Sequence, residues 1–290
     1  MNSAKLAAKS HPDHQTIVNL SDKVAFGGTE LVIIGGPCTV ESAEQMETVA
    51  QKLSAAPVQA FRGGVYKPRT SPYAFQGMAE DGLEILAKVQ LHYNIPVVTE
   101  VMAISQIEAI AAHVDMLQVG SRNMQNFDLL KALGQAGKPI LLKRGLAATI
   151  EEFVMAAEYI LSHGNPDVVL CERGIRSFDN YTRNVLDLGA VVALKQITHL
   201  PVIVDPSHAV GKRELVAPLA KAAIACGADG LIIECHPEPE KSVSDARQAL
   251  SLEDMVNLVH SLKPVAASVG RRISEDVGAG FKPAPLCCAA

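Results

Sequence analysis

Eight short runs of apolar, β-branched residues recur along the chain, and each closes on a polar or glycine-rich cluster. They are LVIIGGPC (31–38), VQAFRGG (58–64), PVVTEV (96–101), MLQVGSR (116–122), PILLKRG (139–145), VVLCERG (168–174), PVIVDPSH (201–208) and GLIIECHP (230–237). Runs this apolar on both faces suit buried parallel strands, whereas half-exposed antiparallel strands would alternate apolar and polar residues. Between them lie segments of helical period, such as SAEQMETVAQKLSA, AEDGLEILAKVQLHY, ISQIEAIAAH, NFDLLKALGQAG, TIEEFVMAAEYILSHG and ELVAPLAKAAIACGA. Several open on Ser, Thr or Asn at the N-cap, and several end on Gly or Asn. Eight strands alternating with helices predict an α/β fold, a single (β/α)8 TIM barrel. An open doubly wound sheet is the competitor, but GGPCTVES after the first run is neither a dinucleotide fingerprint nor a P-loop.

No composition shift divides the middle of the chain. The predicted organisation is an N-terminal extension over 1–29, a catalytic barrel over 30–264 and a loosely attached tail over 265–290. The extension carries a possible hairpin in TIVNLSDKVAFGGTE that could cap the bottom of the barrel. At 290 residues and 48% hydrophobic, the chain can bury one large core. A formal net charge of -5 argues against general affinity for nucleic acid or an anionic membrane. No apolar run approaches the roughly 18 residues of a membrane span, and MNSAKLAAKS lacks the apolar centre of a secretory signal. Six cysteines without paired CxxC spacing favour a reducing, cytoplasmic setting. The terminal CCAA fits a prenylation box only loosely, because no polybasic run adjoins it.

In a barrel the C-terminal ends of the strands meet at one mouth, where active sites sit. Here those ends carry Cys38, Arg62, Glu100, Arg122, Lys143 with Arg144, Arg173, Asp205 with His208, and Glu234. The loop RGGVYKPRTSPYAFQG adds Lys67 and Arg69 with no acid among them. Such cations in an acidic chain predict an anion site, and the mixture of planar Arg forks with compact Lys charges suits more than one phosphate. Cys38, His208 and Glu234, with Asp245 in the following loop, form a second group. Thiolate, imidazole and carboxylate together suit one divalent ion of the Mn, Fe, Co or Zn kind. Sequence spacing alone leaves the alternatives open: a core cysteine, a capped turn at His208 and an ion-pair partner at Glu234.

At GGPCTVES, VYKPRTSPYAFQG, GSRNMQNFDLL, LLKRG, YTRNVLDL and VDPSHAVGKRELV, the chain resembles 3-deoxy-D-arabino-heptulosonate 7-phosphate (DAHP) synthase. The resemblance is to the compact class of that family, which is related to 3-deoxy-octulosonate 8-phosphate synthase, and it runs from about residue 30 to about residue 262. It implies a metal-dependent barrel that condenses phosphoenolpyruvate with erythrose 4-phosphate and releases phosphate, the first step of the shikimate pathway. Carried over by motif, the metal ligands would be Cys38, His208, Glu234 and Asp245. Arg62, Lys67, Arg122, Lys143 and Arg173 would hold phosphoenolpyruvate. Arg69, Thr70 and Ser71 would meet the erythrose 4-phosphate side, and Asp205 would lie near the metal and contact sugar hydroxyls. Lys67 is the candidate proton donor to the aldehyde oxygen, which the metal would polarise.

The octulosonate relatives carry a KANRS-type sequence where this chain has KPRTS, so the four-carbon aldehyde is the implied substrate. The alternatives are the octulosonate synthase using arabinose 5-phosphate, a class I aldolase with Lys143 as Schiff-base amine, and a catalytically silent sugar-phosphate-binding barrel. The resemblance further implies a homodimer or homotetramer. The thirty residues before Leu31 are too few for a fused regulatory module, so no feedback inhibition through one is expected.

Overall fold

The computed structural model describes residues 4–68 and 71–275. Arg69 and Thr70 of the KPRTS loop, and the tail from 276 with its CCAA end, lie outside the described residues. The hairpin stands where the sequence places it, as β1 (Val18–Asn19) antiparallel to β2 (Ala25–Phe26). The eight apolar runs then supply β3 (Val32–Gly36), β4 (Ala60–Arg62), β5 (Val97–Val101) and β6 (Met116–Val119). They continue as β7 (Ile140–Lys143), β8 (Val168–Glu172), β9 (Val202–Val204) and β10 (Gly230–His236). Every neighbouring pair is parallel, and β10 bonds to both β9 and β3, which closes the barrel. A two-residue strand, β11 (Leu250–Ser251), extends the sheet beside the end of β10.

The helices are α1 (Ala43–Ser54), α2 (Ala79–Tyr93), α3 (Ile107–Ala111), α4 (Phe127–Leu133) and α5 (Ile150–Leu161). They are followed by α6 (Leu188–Ile197), α7 (Pro206–Val210), α8 (Arg213–Ala225) and α9 (Leu252–Ser268). Most of their starts, though not those of α2, α3 and α8, are set by side chains that satisfy otherwise unpaired N–H groups. Ser42 accepts from the Gln45 N–H, Asn126 from Leu129, and Thr149 forms a reciprocal capping box with Glu152.

Strand parity sorts the core into two. Val32, Ile34, Ala60, Val98, Met116, Leu141, Val169, Cys171, Ile203 and Ile232 form one buried cluster together with Val18, Leu20, Val24 and Phe26 of the hairpin. The strand residues face the barrel axis, and the hairpin closes the bottom with its own alternating apolar side. The residues of opposite parity, such as Ile33, Phe61, Val97, Leu117 and Leu142, pack against the helices in the larger cluster. Two positions beyond the inward apolar residues, on the same face, come Arg62, Glu100, Gln118, Lys143, Arg173, Asp205 and Glu234. The polar site is thus the next layer of the same barrel interior.

The tail differs from expectation. A boundary at 264 would cut α9, which passes through Pro264 and ends at Ser268. Residues 271–274 then return to the chain's own floor. Arg272 backbone groups pair with Thr29 and Leu31, Arg271 reaches Asp229 at 3.2 Å, and the Ser274 carbonyl accepts from Gln59. Ile273 is buried there. Pro264 lies inside this helix, and an apolar stripe through Leu258, Leu262 and Ala266 keeps its last turn packed.

Candidate active site

Cys38 follows β3 and Glu234 lies two residues before the end of β10, strands that are hydrogen-bonded neighbours. His208 sits in α7, a short helix whose cap is Asp205. Asp245 lies in the loop from β10 to β11 with a left-handed backbone, φ 56°. One ligand atom from each of Cys38, His208, Glu234 and Asp245 lies within 4.8 Å of all the others. The Cys38 thiol points at Asp245 Oδ2, 3.1 Å away, and His208 Nε2 is 3.5 Å from Glu234 Oε2. The convergence that spacing left open is therefore present.

Asp205 holds His208 from behind. Its Oδ1 accepts from the His208 backbone N–H at 2.9 Å, and its Oδ2 lies 2.8 Å from Nδ1 in a short but bent contact. Lys143 Nζ approaches the same Oδ2 at 2.5 Å. With both oxygens occupied and the side chain fully buried, Asp205 faces the imidazole and not the cleft, so it orients His208 with Nε2 free for an ion. Lys143, engaged in that ion pair, is not the isolated amine of a Schiff-base site.

The electrostatics suit a cation at the cluster. Burial pushes the Glu234 carboxyl up to about 8, with Asp245 adding to the rise and Arg62 opposing it. Burial lowers His208 to about 3, so the ring is a neutral donor. Burial also raises the Cys38 thiol, against the pull of Lys67. For Asp245, burial is outweighed by His208, the Cys38 thiol and Arg183, which hold it well below the usual carboxylate range. Glu234 Oε1 is buried without a hydrogen-bond partner, and that orphaned acceptor in a set of N, O and S donors fits a divalent ion.

Above the cluster opens a cleft of about 410 Å³ lined by Arg62, Lys67, Arg122, Lys143, Arg173, Arg176 and Arg183, with Glu100 as its counterpoint. Arg62 Nη1 is buried and unpartnered, a donor set for an anion. Lys67 Nζ lies 2.9 Å from both the Cys38 carbonyl and its Sγ, bridging cleft and cluster. Gly64 makes this possible, since a Cβ there would sit 2.6 Å from the Cys38 carbonyl and 3.0 Å from Lys67 Cδ. Arg173 is tied to the His208 carbonyl at 3.1 Å.

Not every expected residue joins. Arg144 has the parity opposite to Lys143 and turns outward, into buried Glu172 at 2.9 Å and Asp187 at 3.1 Å. Ser71 is exposed, and of the described residues of KPRTS it is Lys67 and Pro68, not Ser71, that line the cleft. Arg176, Arg183, Asn184 and Gln118 line it without having been singled out. Arg183 and Asn184 lie within the YTRNVLDL motif, and Gln118 has the inward parity of Met116, so both signals were in the sequence.

The model of the DAHP synthetase I family matches residues 15–269. The chain belongs to that family. It is 47% identical to the phospho-2-dehydro-3-deoxyheptonate aldolase of Thermotoga maritima, over 93% of this chain and 80% of that protein. It is also 32% identical to a 2-dehydro-3-deoxyphosphooctonate aldolase of Syntrophotalea carbinolica, over 85% of this chain and 95% of the relative. The solved structure of the Thermotoga maritima DAHP synthase superposes with a TM-score of 0.90 at 46% identity, covering 94% of this chain and 80% of that one. A truncated form of the same enzyme gives a TM-score of 0.86 at 43% identity and is covered over 98% of its length. Among the described residues no helix is long and apolar enough to cross a membrane.

Proposed function

We propose that this member of the DAHP synthetase I family condenses phosphoenolpyruvate with erythrose 4-phosphate to give DAHP and inorganic phosphate. The observation that carries the reading is the four-ligand cluster at the floor of a cationic cleft. Arg62, Lys67, Arg122, Lys143 and Arg173 would hold phosphoenolpyruvate, with Arg122 and Lys143 on its phosphate and Arg173 assisting. Two anionic substrates repel each other, and these cations offset that repulsion while bringing the reacting carbons together. Cys38, His208, Glu234 and Asp245 would hold one Mn, Fe, Co or Zn ion, which supplies Lewis acidity toward the aldehyde oxygen when bound.

Lys67, whose Nζ spans cleft and cluster, would donate a proton to the developing alkoxide as C3 of phosphoenolpyruvate attacks the aldehyde carbon. C2 then carries oxocarbenium character, water adds to it, and phosphate leaves with C–O cleavage. The cations that held the phosphate stabilise it as a leaving group. Asp205 would act by holding His208 and Lys143, in place of contacting sugar hydroxyls. The KPRTS segment, with Arg69, Thr70 and Ser71, would take erythrose 4-phosphate, and a cytoplasmic homodimer or homotetramer belongs to the same proposal. The octulosonate relatives keep arabinose 5-phosphate as the second reading.

Chelation should abolish phosphate release from phosphoenolpyruvate plus erythrose 4-phosphate, and Mn or Zn should restore it. Cys38→Ala should not be restored. Turnover that survives thorough chelation, or a fully active Cys38→Ala, would remove the metal centre from the reaction.

A further inference from the structure

Two of the four ligands are carboxylates carried on different segments, Glu234 two residues before the end of β10 and Asp245 in the loop beyond it. A continuous hydrogen-bonded path joins them through two side chains outside the ligand set. Gln248 Nε2 donates to Glu234 Oε2 at 2.7 Å. Its Oε1 accepts from Arg183 Nη1 at 3.2 Å, and the same Nη1 donates to Asp245 Oδ1 at 3.0 Å. The Gln248 amide can be oriented only one way here. Turned over, it would set an oxygen against the Glu234 carboxylate and an N–H₂ group against the guanidinium.

The path holds one oxygen of each carboxylate. Glu234 Oε2, which also lies 3.5 Å from His208 Nε2, accepts from Gln248, while Oε1 is buried and has no hydrogen-bond partner. Asp245 Oδ1 is held by Arg183, while Oδ2 faces the Cys38 thiol. Gln248 is buried, so its amide cannot exchange these partners for water. Asp245 needs the restraint, because its backbone occupies a left-handed conformation that a side-chain-bearing residue seldom takes without support. The Gln248 backbone N–H donates to the Asp245 carbonyl at 3.0 Å and closes that turn.

We propose that Arg183 and Gln248 are positioning residues that fix the orientations of Glu234 and Asp245 and thereby set the divalent-ion affinity of the site. The proposal rests on the metal-centre reading above. A neutral amide is the group that can serve both neighbours. It gives a hydrogen bond to one anion and takes one from the cation that holds the other, without adding charge to the centre. Groups in this supporting role typically change metal affinity by about 10–100-fold when removed.

The test is Zn²⁺ affinity by competition with a chromophoric chelator, together with the visible spectrum of the Co²⁺-loaded protein. The set comprises wild type, Arg183→Leu, Arg183→Lys, Gln248→Leu and Cys38→Ala. Arg183→Leu and Gln248→Leu should each weaken Zn²⁺ binding at least about tenfold and shift the Co²⁺ bands. Arg183→Lys should recover part of the loss, because one ammonium can hold Asp245 but not Gln248 as well. Arg183 is 41% exposed, so the Lys variant keeps the test available should Gln248→Leu fail to fold. Wild-type affinity and spectrum in both Leu variants, or in Arg183→Leu where Gln248→Leu does not fold, would overturn the inference and leave the metal centre standing. Equal and weak Zn²⁺ binding by wild type and Cys38→Ala would overturn the centre itself.

Discussion

Lowering the pH should weaken divalent-ion binding more steeply than a site of ordinary carboxylates would allow. The ion takes a thiolate, a neutral imidazole and ionised carboxylates, so every proton resident on those groups must leave. In the metal-free protein burial raises the Cys38 thiol and pushes Glu234 up to about 8, so both are protonated at neutral pH. His208 is held down to about 3 by burial and is already neutral. Asp245 is held ionised by His208, the Cys38 thiol and Arg183 in spite of its burial. Binding therefore displaces about two protons, one from Cys38 and most of one from Glu234. Affinity should fall about a hundredfold between pH 7 and pH 6, where a site with an ordinary glutamate would lose only about tenfold. Zn²⁺ calorimetry in buffers of differing ionisation enthalpy counts the protons, and chelator competition at the two pH values gives the affinities. Release of one proton with a tenfold change would show that Glu234 is ionised beforehand. Release of none would refute Cys38 as a ligand.

Replacing Gly64 with Ala should push the Cys38 carbonyl and Lys67 apart, given the 2.6 Å and 3.0 Å approaches of the added methyl. Steady-state kinetics should then show turnover reduced by about a hundredfold with Zn²⁺ still bound, the scale of a lost proton donor; unchanged turnover would make the position of Lys67 immaterial. Arg144→Leu leaves the buried Glu172 without its 2.9 Å partner and should cost about 3–5 kcal/mol in denaturant unfolding. The KM for phosphoenolpyruvate should not change, and a raised KM at full stability would return Arg144 to the cleft. Phe26→Ala, in the fully buried plug, should cost about 3–5 kcal/mol with near-normal kinetics in the folded fraction, since the plug lies at the opposite end of the barrel from the ligands.

The eight strands were legible because buried parallel strands are apolar on both faces, and the hairpin because Val18, Leu20, Val24 and Phe26 keep to one side of it. The fate of neighbouring cations was harder. Lys143 and Arg144 are adjacent and alike in charge, yet one step along a strand reverses the face, sending one into the barrel and the other into Glu172. Counting in twos from Leu141 would have separated them. Asp205 caps the turn that carries His208, a local contact three residues on, but its second partner, Lys143, comes from across the barrel and no local pattern encodes it. The bond from Arg183 to Asp245 spans loops far apart in the chain, and a motif can mark such a residue without stating what it touches. Residues 265–268 belong to α9, where tertiary packing outweighs the local cost of Pro264 in a helix.

In this reading the cleft joins phosphoenolpyruvate to a four-carbon aldehyde phosphate at a divalent-ion centre. Phosphate release by the metal-loaded protein, measured side by side with erythrose 4-phosphate and with arabinose 5-phosphate, tests it most directly. Release should occur with erythrose 4-phosphate, and little or none with arabinose 5-phosphate. Preference for the five-carbon aldehyde would contradict the reading of KPRTS, and no release with either would contradict the assignment of chemistry to this barrel.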